Sequence, residues 1–157
     1  MARWKRKELE RAFDNYQAAA LKGAQTQDWS DWANCFTEDA TYVEHHYGKF
    51  WGRETILKWI TETMTQWPAN HMTAFPMTWY SIDEDKGWII CEVMNRMQDI
   101  GDGKIHEEPN ITILHYAGNG LFSYEEDVYN PHNMGVMIGA WIESKKQREA
   151  DQKENAQ

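Results

Sequence analysis

The chain has 157 residues and carries 16 Lys and Arg against 25 Asp and Glu, a formal net charge of −9. That length suits one domain with its own core, and so acidic a surface repels phosphate backbones and anionic lipid, which excludes nucleic acid and membrane as first-choice partners. Phe, Trp and Tyr make up 13% of the residues, a share that calls for a deep core, an aromatic-walled pocket, or both.

In chain order, Leu9, Phe13, Tyr16 and Ala20 recur at helical spacing until Gly23, which predicts a first helix ending there. A short second helix follows with Asp28 as N-cap and Trp29, Trp32, Ala33 and Phe36 on one stripe. Ala40 to His46 reads as a strand. Gly52 opens a third helix with Ile56, Ile60, Met64 and Trp67 on one side, and Pro68 ends it. Asp85-Lys86-Gly87, Gly101-Asp102-Gly103 and Gly118-Asn119-Gly120 are hairpin turns, and they delimit strands near 71–82, 88–99, 107–117 and 121–129. Asn130-Pro131 is an N-cap and first helical residue for a final helix bearing Met134, Ile138, Trp141 and Ile142.

The predicted order is ααβαββββα, an α+β fold in which a curved antiparallel sheet wraps the N-terminal helices as a cone with one open mouth. Residues 1–144 form a single domain in this reading. The segment 145–157 holds no apolar residue larger than Ala and is expected to be a flexible polar tail. No apolar run approaches the ~20 residues of a membrane span, and Glu8, Glu10 and Asp14 stand where a signal peptide would be apolar. Cys35 and Cys91 share no CxxC spacing, so packed thiols and a cytoplasmic location are expected. No HExxH or cysteine cluster suggests a metal, and no Gly-rich phosphate loop follows a strand. The expected cofactor is none.

Three phrases carry a resemblance over about residues 9–142: Asp28-Trp29 to Phe36-Thr37-Glu38-Asp39-Ala40-Thr41, then Gly52-Arg53-Glu54-Thr55-Ile56, then Tyr116 to Gly120. In this order and spacing the chain resembles the nuclear-transport-factor-2-like superfamily. The likeness is to its SnoaL-like branch of polyketide cyclases, ketosteroid isomerases, scytalone dehydratase and limonene epoxide hydrolase. That resemblance implies the cone fold. It leaves the reaction open, because the fold hosts catalysts, binders and adaptors alike.

Strand parity places Tyr42, Glu44 and His46 on one face of their strand, with Thr41, Val43 and His45 on the other. Glu44 falls where ketosteroid isomerase carries its general base and where scytalone dehydratase has a ligand-binding Tyr; a surface Glu at a strand end is the alternative. Which of His45 and His46 faces inward depends on register. In the last strand Glu125, Asp127 and Tyr129 share a face, opposite Glu126 and Val128. Asp127 matches a catalytic aspartate of limonene epoxide hydrolase. The Arg-x-Asp motif of that enzyme becomes Arg96-Met97-Gln98 here, which argues against epoxide opening by the same triad. An Arg96–Asp127 pair would neutralise two buried charges, in a site or simply within the sheet.

His71 resembles the catalytic His region of scytalone dehydratase, and a histidine near neutral pKa suits proton transfer. Tyr16 resembles the oxyanion-hole Tyr of ketosteroid isomerase, although its place on the helical stripe suits a core ring equally. Thr112 aligns with that enzyme's second oxyanion donor, an Asp, so the oxyanion hole is incomplete.

The expected function is a cofactor-free lyase, isomerase or cyclase acting on a small, largely apolar polyketide-, terpenoid- or steroid-like ring. Glu44, Asp127, His71 and His46 are the candidate proton-transfer groups. Tyr16, Tyr42, Arg96, Gln98, Thr112, Glu125 and Tyr129 are the candidate substrate-binding groups. The alternative is a non-catalytic small-molecule-binding or dimerisation module of the same fold. A homodimer is expected in either case, because Ile89, Cys91, Val93 and Met97 read as an apolar outer face that needs cover.

Overall fold

A computed structural model describes residues 1–156. Helix α1 spans Arg6–Thr26 and α2 Ser30–Ala33; β1 is Phe36–Glu44, β2 Gly48–Trp51 and α3 Arg53–Met64. Strands β3 (Met72–Ala74), β4 (Met77–Asp83), β5 (Trp88–Met97), β6 (Glu107–Gly118) and β7 (Leu121–Val128) follow, and α4 is Pro131–Asn155. The seven strands form one sheet in the order β2-β1-β7-β6-β5-β3, with β4 also paired to β5. The fold is α+β, as expected. All pairs are antiparallel except β1 with β7, which run parallel.

Leu9, Phe13 and Tyr16 of α1 lie in one buried cluster with Ile89, Leu114 and Phe122 of the sheet. The stripe at helical spacing is therefore what seats α1 on the concave face. Gly23 does not stop this helix. It is buried within α1, and a Cβ there would lie 2.6 Å from the Trp29 ring. Glycine at 23 serves close approach of that ring, and α1 ends instead at Gln27, which takes a left-handed φ of 65°. The N-cap of α2 is Trp29, not Asp28 as expected; Asp28 stands one position earlier, its Oδ1 accepting the Ser30 N–H at 2.9 Å.

Other elements depart from the sequence reading. The expected long strand 71–82 is two strands separated at Phe75-Pro76, both pairing with β5. Helix α3 stops at Met64, which leaves Trp67 outside it and 59% exposed. Residues 145–155, expected as a flexible polar tail, continue α4 as helix, with side chains one turn apart paired along it. Lys146 pairs with Glu143 at 3.2 Å, and Gln147 Nε2 donates to Asp151 at 2.7 Å. Gln157, the last residue of that expected tail, lies outside the described residues.

The facing of β5 is the reverse of that expected. Ile89, Cys91 and Met97 are buried, and Val93 and Asn95 line a cavity on the concave side. The outer face instead carries Trp88, Ile90, Glu92, Met94 and Arg96. Among the described residues, no helix is long and apolar enough to cross a membrane. Both cysteines are free and buried; burial raises the Cys35 thiol to about 11 and the Cys91 thiol to about 12.

Candidate active site

The concave face encloses a cavity of about 220 Å³, smaller than the ~300–1,000 Å³ typical of drug-sized ligands. Its floor comes from β1, β6 and β7, which the register sets side by side. Tyr42 lies opposite Glu125 and Glu44 opposite Asp127 across the parallel pair, while Thr112 lies opposite Asp127 across the antiparallel one. Side chains of period 2 on adjacent strands thus converge on one spot. A register shift places Tyr116 opposite Phe122 and Leu114 opposite Glu125. Phe122 and Glu125, three residues apart, therefore both face inward.

Asp127 is the focus of the polar groups. Thr112 Oγ1 donates to its Oδ1 at 2.5 Å, Asn110 Nδ2 donates to the same oxygen at 3.1 Å, and the Tyr42 hydroxyl donates to Oδ2. Asn110 also donates to Thr112 Oγ1 at 2.8 Å, and Asn95 Nδ2 donates to Asn110 Oδ1 at 2.6 Å. A directed chain from β5 through β6 to β7 holds this carboxylate in place. Burial pushes the Asp127 carboxyl up to about 6, against the pull of the Thr112 and Tyr42 donors.

Glu125 stands beside it, 1% exposed. Its Oε1 accepts the Tyr16 hydroxyl at 2.6 Å, and its Oε2 is enclosed without a partner among the described residues. Burial first, and then the Asp127 charge, raise this carboxyl well above the usual range. Burial likewise raises the Tyr16 and Tyr42 phenols, with the two carboxylates adding to the effect. Two carboxyls whose pKa values burial raises thus stand two positions apart on one strand face.

Glu44 faces the cavity as parity predicts, 4% exposed, but its Oε2 is occupied by the backbone N–H groups of His46, at 2.8 Å, and Tyr47. It shapes the β1–β2 turn. That turn begins right after Glu44, which takes both histidines off the strand. His46 is exposed, its ring 4.8 Å from that of Tyr47, and His45 bonds Glu126 on the outer face at 2.7 Å. Neither histidine lines the cavity. His71 does not line it either: its Nδ1 meets Gln98 Oε1 at 2.9 Å, beside the Trp141 ring.

Gln98 is exposed and bound to His71, not to a pocket. Arg96 pairs with Glu107 at 2.7 Å, and its side chain is 38% exposed. The expected Arg96–Asp127 pair does not form, because Arg96 has the outward parity on β5. Tyr16, Tyr42, Thr112, Glu125 and Tyr129 all line the cavity. Burial and the adjacent Glu44 carboxylate raise the Tyr129 phenol far above its ordinary value.

Asn95 and Asn110 were not among the sequence candidates. Asn110 could have been found, since it shares parity with Thr112. Trp29, Trp32 and Trp59 complete the wall; their helical spacing reads equally as core packing. Among the described residues, no group of three His, Cys, Asp or Glu side chains is placed to hold a metal ion.

A curved sheet closing on helices over an acid-floored, aromatic-walled cavity defines a nuclear-transport-factor-2-like protein. The chain belongs to the SnoaL-like domain family, which matches residues 6–110. No curated protein matches it. Among solved structures it resembles a hypothetical protein with a ketosteroid isomerase-like fold from Catenulispora acidiphila DSM 44928, in complex with trimethylamine. The TM-score is 0.62 at 19% identity, covering 79% of this chain and 92% of that one. It also resembles an NTF2-like protein from Anabaena variabilis ATCC 29413, with TM-score 0.61, 13% identity, and 83% and 95% covered. A third relative is an LEH-like epoxide hydrolase of M. tuberculosis, with TM-score 0.60, 13% identity, and 84% and 90% covered. At such identities the likeness is one of fold.

Proposed function

We propose that the protein is an acid–base enzyme of the lyase, isomerase or cyclase type, acting without a cofactor on a small, largely apolar molecule. Such reactions begin by removing a proton beside an electron-withdrawing group. Asp127 is the base: it lines the cavity, and with two donors on Oδ1 and one on Oδ2 its Oδ2 keeps one acceptor site free. Glu125, protonated and supported by Tyr16, is the acid partner, and Tyr42, Thr112 and Asn110 position the base. The observation that carries this reading is the pair of carboxyls on one strand face, Glu125 buried and Asp127 half-buried, with both raised by burial and Asp127 to about 6.

The test is hydrogen–deuterium exchange at carbon, followed by NMR, in a panel of small cyclic ketones incubated with the protein in D2O. Exchange above the buffer rate that disappears in Asp127→Asn supports the assignment. Exchange that Asp127→Asn leaves intact removes it.

The proposal includes a homodimer. Its support is the outer sheet face, where Ile90 of β5 lies opposite Ile113 of β6 and Ile111 opposite Val128 of β7. This is a different residue set from the one first expected to cover a partner.

A further inference from the structure

The charge and ring content of the cavity bear on what it takes up. Three carboxyl groups line it, those of Glu44, Glu125 and Asp127, and among the described residues no arginine, lysine or histidine does. His45 sits beyond the site on the outer face, engaged with Glu126. The whole chain adds a net charge of −9. An anionic ligand would meet repulsion with no compensating group.

The wall is a continuous run of rings. Trp29 lies 6.0 Å from Trp32, Trp32 lies 5.9 Å from Tyr42, Tyr42 lies 4.9 Å from Trp59, and Trp59 lies 5.9 Å from Tyr47, centroid to centroid. Aromatic faces carry negative potential and attract cations, Trp most strongly. Tyr42 also donates to Asp127, so ring wall and carboxylate meet at one side chain. A neutral ligand would gain contact area here but no charge–charge attraction.

We propose that the cavity takes a small organic cation, a compact alkylammonium group seated against the Trp32–Tyr42–Trp59 wall with Asp127 as its counter-charge. The apolar remainder of the ligand extends toward Met64, Met72 and Ile138, which line the same cavity and belong to a second apolar cluster. The inference rests on the preceding reading in taking this cavity as the ligand site, and it adds the class of ligand. The Asp127 carboxylate has no cationic side chain beside it among the residues that line the cavity; a bound cation supplies that charge.

The test compares choline with 3,3-dimethylbutan-1-ol, its neutral carbon isostere, by calorimetry and tryptophan fluorescence on the full chain. Choline should bind about tenfold tighter or more, the preference expected when a desolvated cation meets rings and a carboxylate. Trp59→Leu and Asp127→Asn should each reduce that preference, with near-ultraviolet circular dichroism showing that the fold persists. Equal or tighter binding of the isostere overturns the inference, as does failure of both compounds to bind at millimolar concentration. Exchange of ketone protons without a cation preference overturns this inference alone. A cation preference without exchange in any ketone removes the acid–base reading and leaves this one standing.

Discussion

Glu125 and Asp127 stand two positions apart on β7 and face the same cavity, yet they are held by different partners. Glu125 is sealed against Tyr16 at 2.6 Å, while Asp127 takes its donors from Tyr42, Thr112 and Asn110 and stays in contact with the open space. Burial and the Asp127 charge both raise the Glu125 carboxyl. In the proposed reaction, the depth at which each side chain sits is what separates acid from base.

Replacing Asp127 with Asn keeps an acceptor for Thr112 and Asn110 and removes the proposed base. Turnover, measured as carbon–hydrogen exchange, should fall by about 10²–10⁴-fold, with circular dichroism unchanged. Loss of the folded spectrum would mark Asp127 as a scaffold group.

The pH profile gives a sharper prediction. Exchange should decline as pH is lowered through about 6, where the Asp127 carboxyl takes up its proton. Stability has the opposite sense. The folded-state pKa is raised from 3.8 to about 6, so the contribution of Asp127 is fully present below its ordinary pKa and is lost as pH rises through about 6. Roughly two pH units at 1.36 kcal/mol each give a penalty on the order of 2–3 kcal/mol at neutral pH. Urea denaturation should therefore show Asp127→Asn more stable than wild type at pH 7.5, with the advantage gone near pH 4.

Tyr16→Phe removes the hydroxyl that donates to Glu125 Oε1 and keeps the ring. Leaving a buried acceptor unpaired costs about 1–3 kcal/mol, which chemical denaturation resolves. A change near zero would mean that another donor, such as Tyr42, replaces Tyr16.

Arg96→Met should change stability by less than about 1 kcal/mol, the usual range for a solvent-exposed ion pair. The Arg96–Glu107 bridge has side chains 38% and 23% exposed. Exchange activity should be unaffected, since Arg96 faces away from the cavity.

The homodimer is tested by sedimentation equilibrium at micromolar concentration, where twice the chain mass is expected. Ile113→Lys sets a charge opposite Ile90 on the outer face and should shift the species to monomer. A wild-type monomer would dispose of the dimer without touching the cavity reading.

The sequence alone determined the order of most elements, the facing of β1 and the facing of β7. In Tyr42-Val43-Glu44 and Glu125-Glu126-Asp127 adjacent residues cannot share a face, so naming one inward side chain named the rest. Tyr16 was legible from the helical stripe of α1, and Thr112 only through the family resemblance. In β5 the rule had nothing to act on: Trp88, Ile90 and Met94 are as apolar as Ile89, Cys91 and Val93. Only packing of α1 against the sheet chose between the two faces, and that choice sent Arg96 outward and Asn95 in. The end of β1 was also a tertiary decision, since the carboxylate of Glu44 captures two backbone N–H groups and turns the chain before either histidine can enter the cavity. Periodicity reports which residues lie together, and burial against a partner element decides which side is the inside.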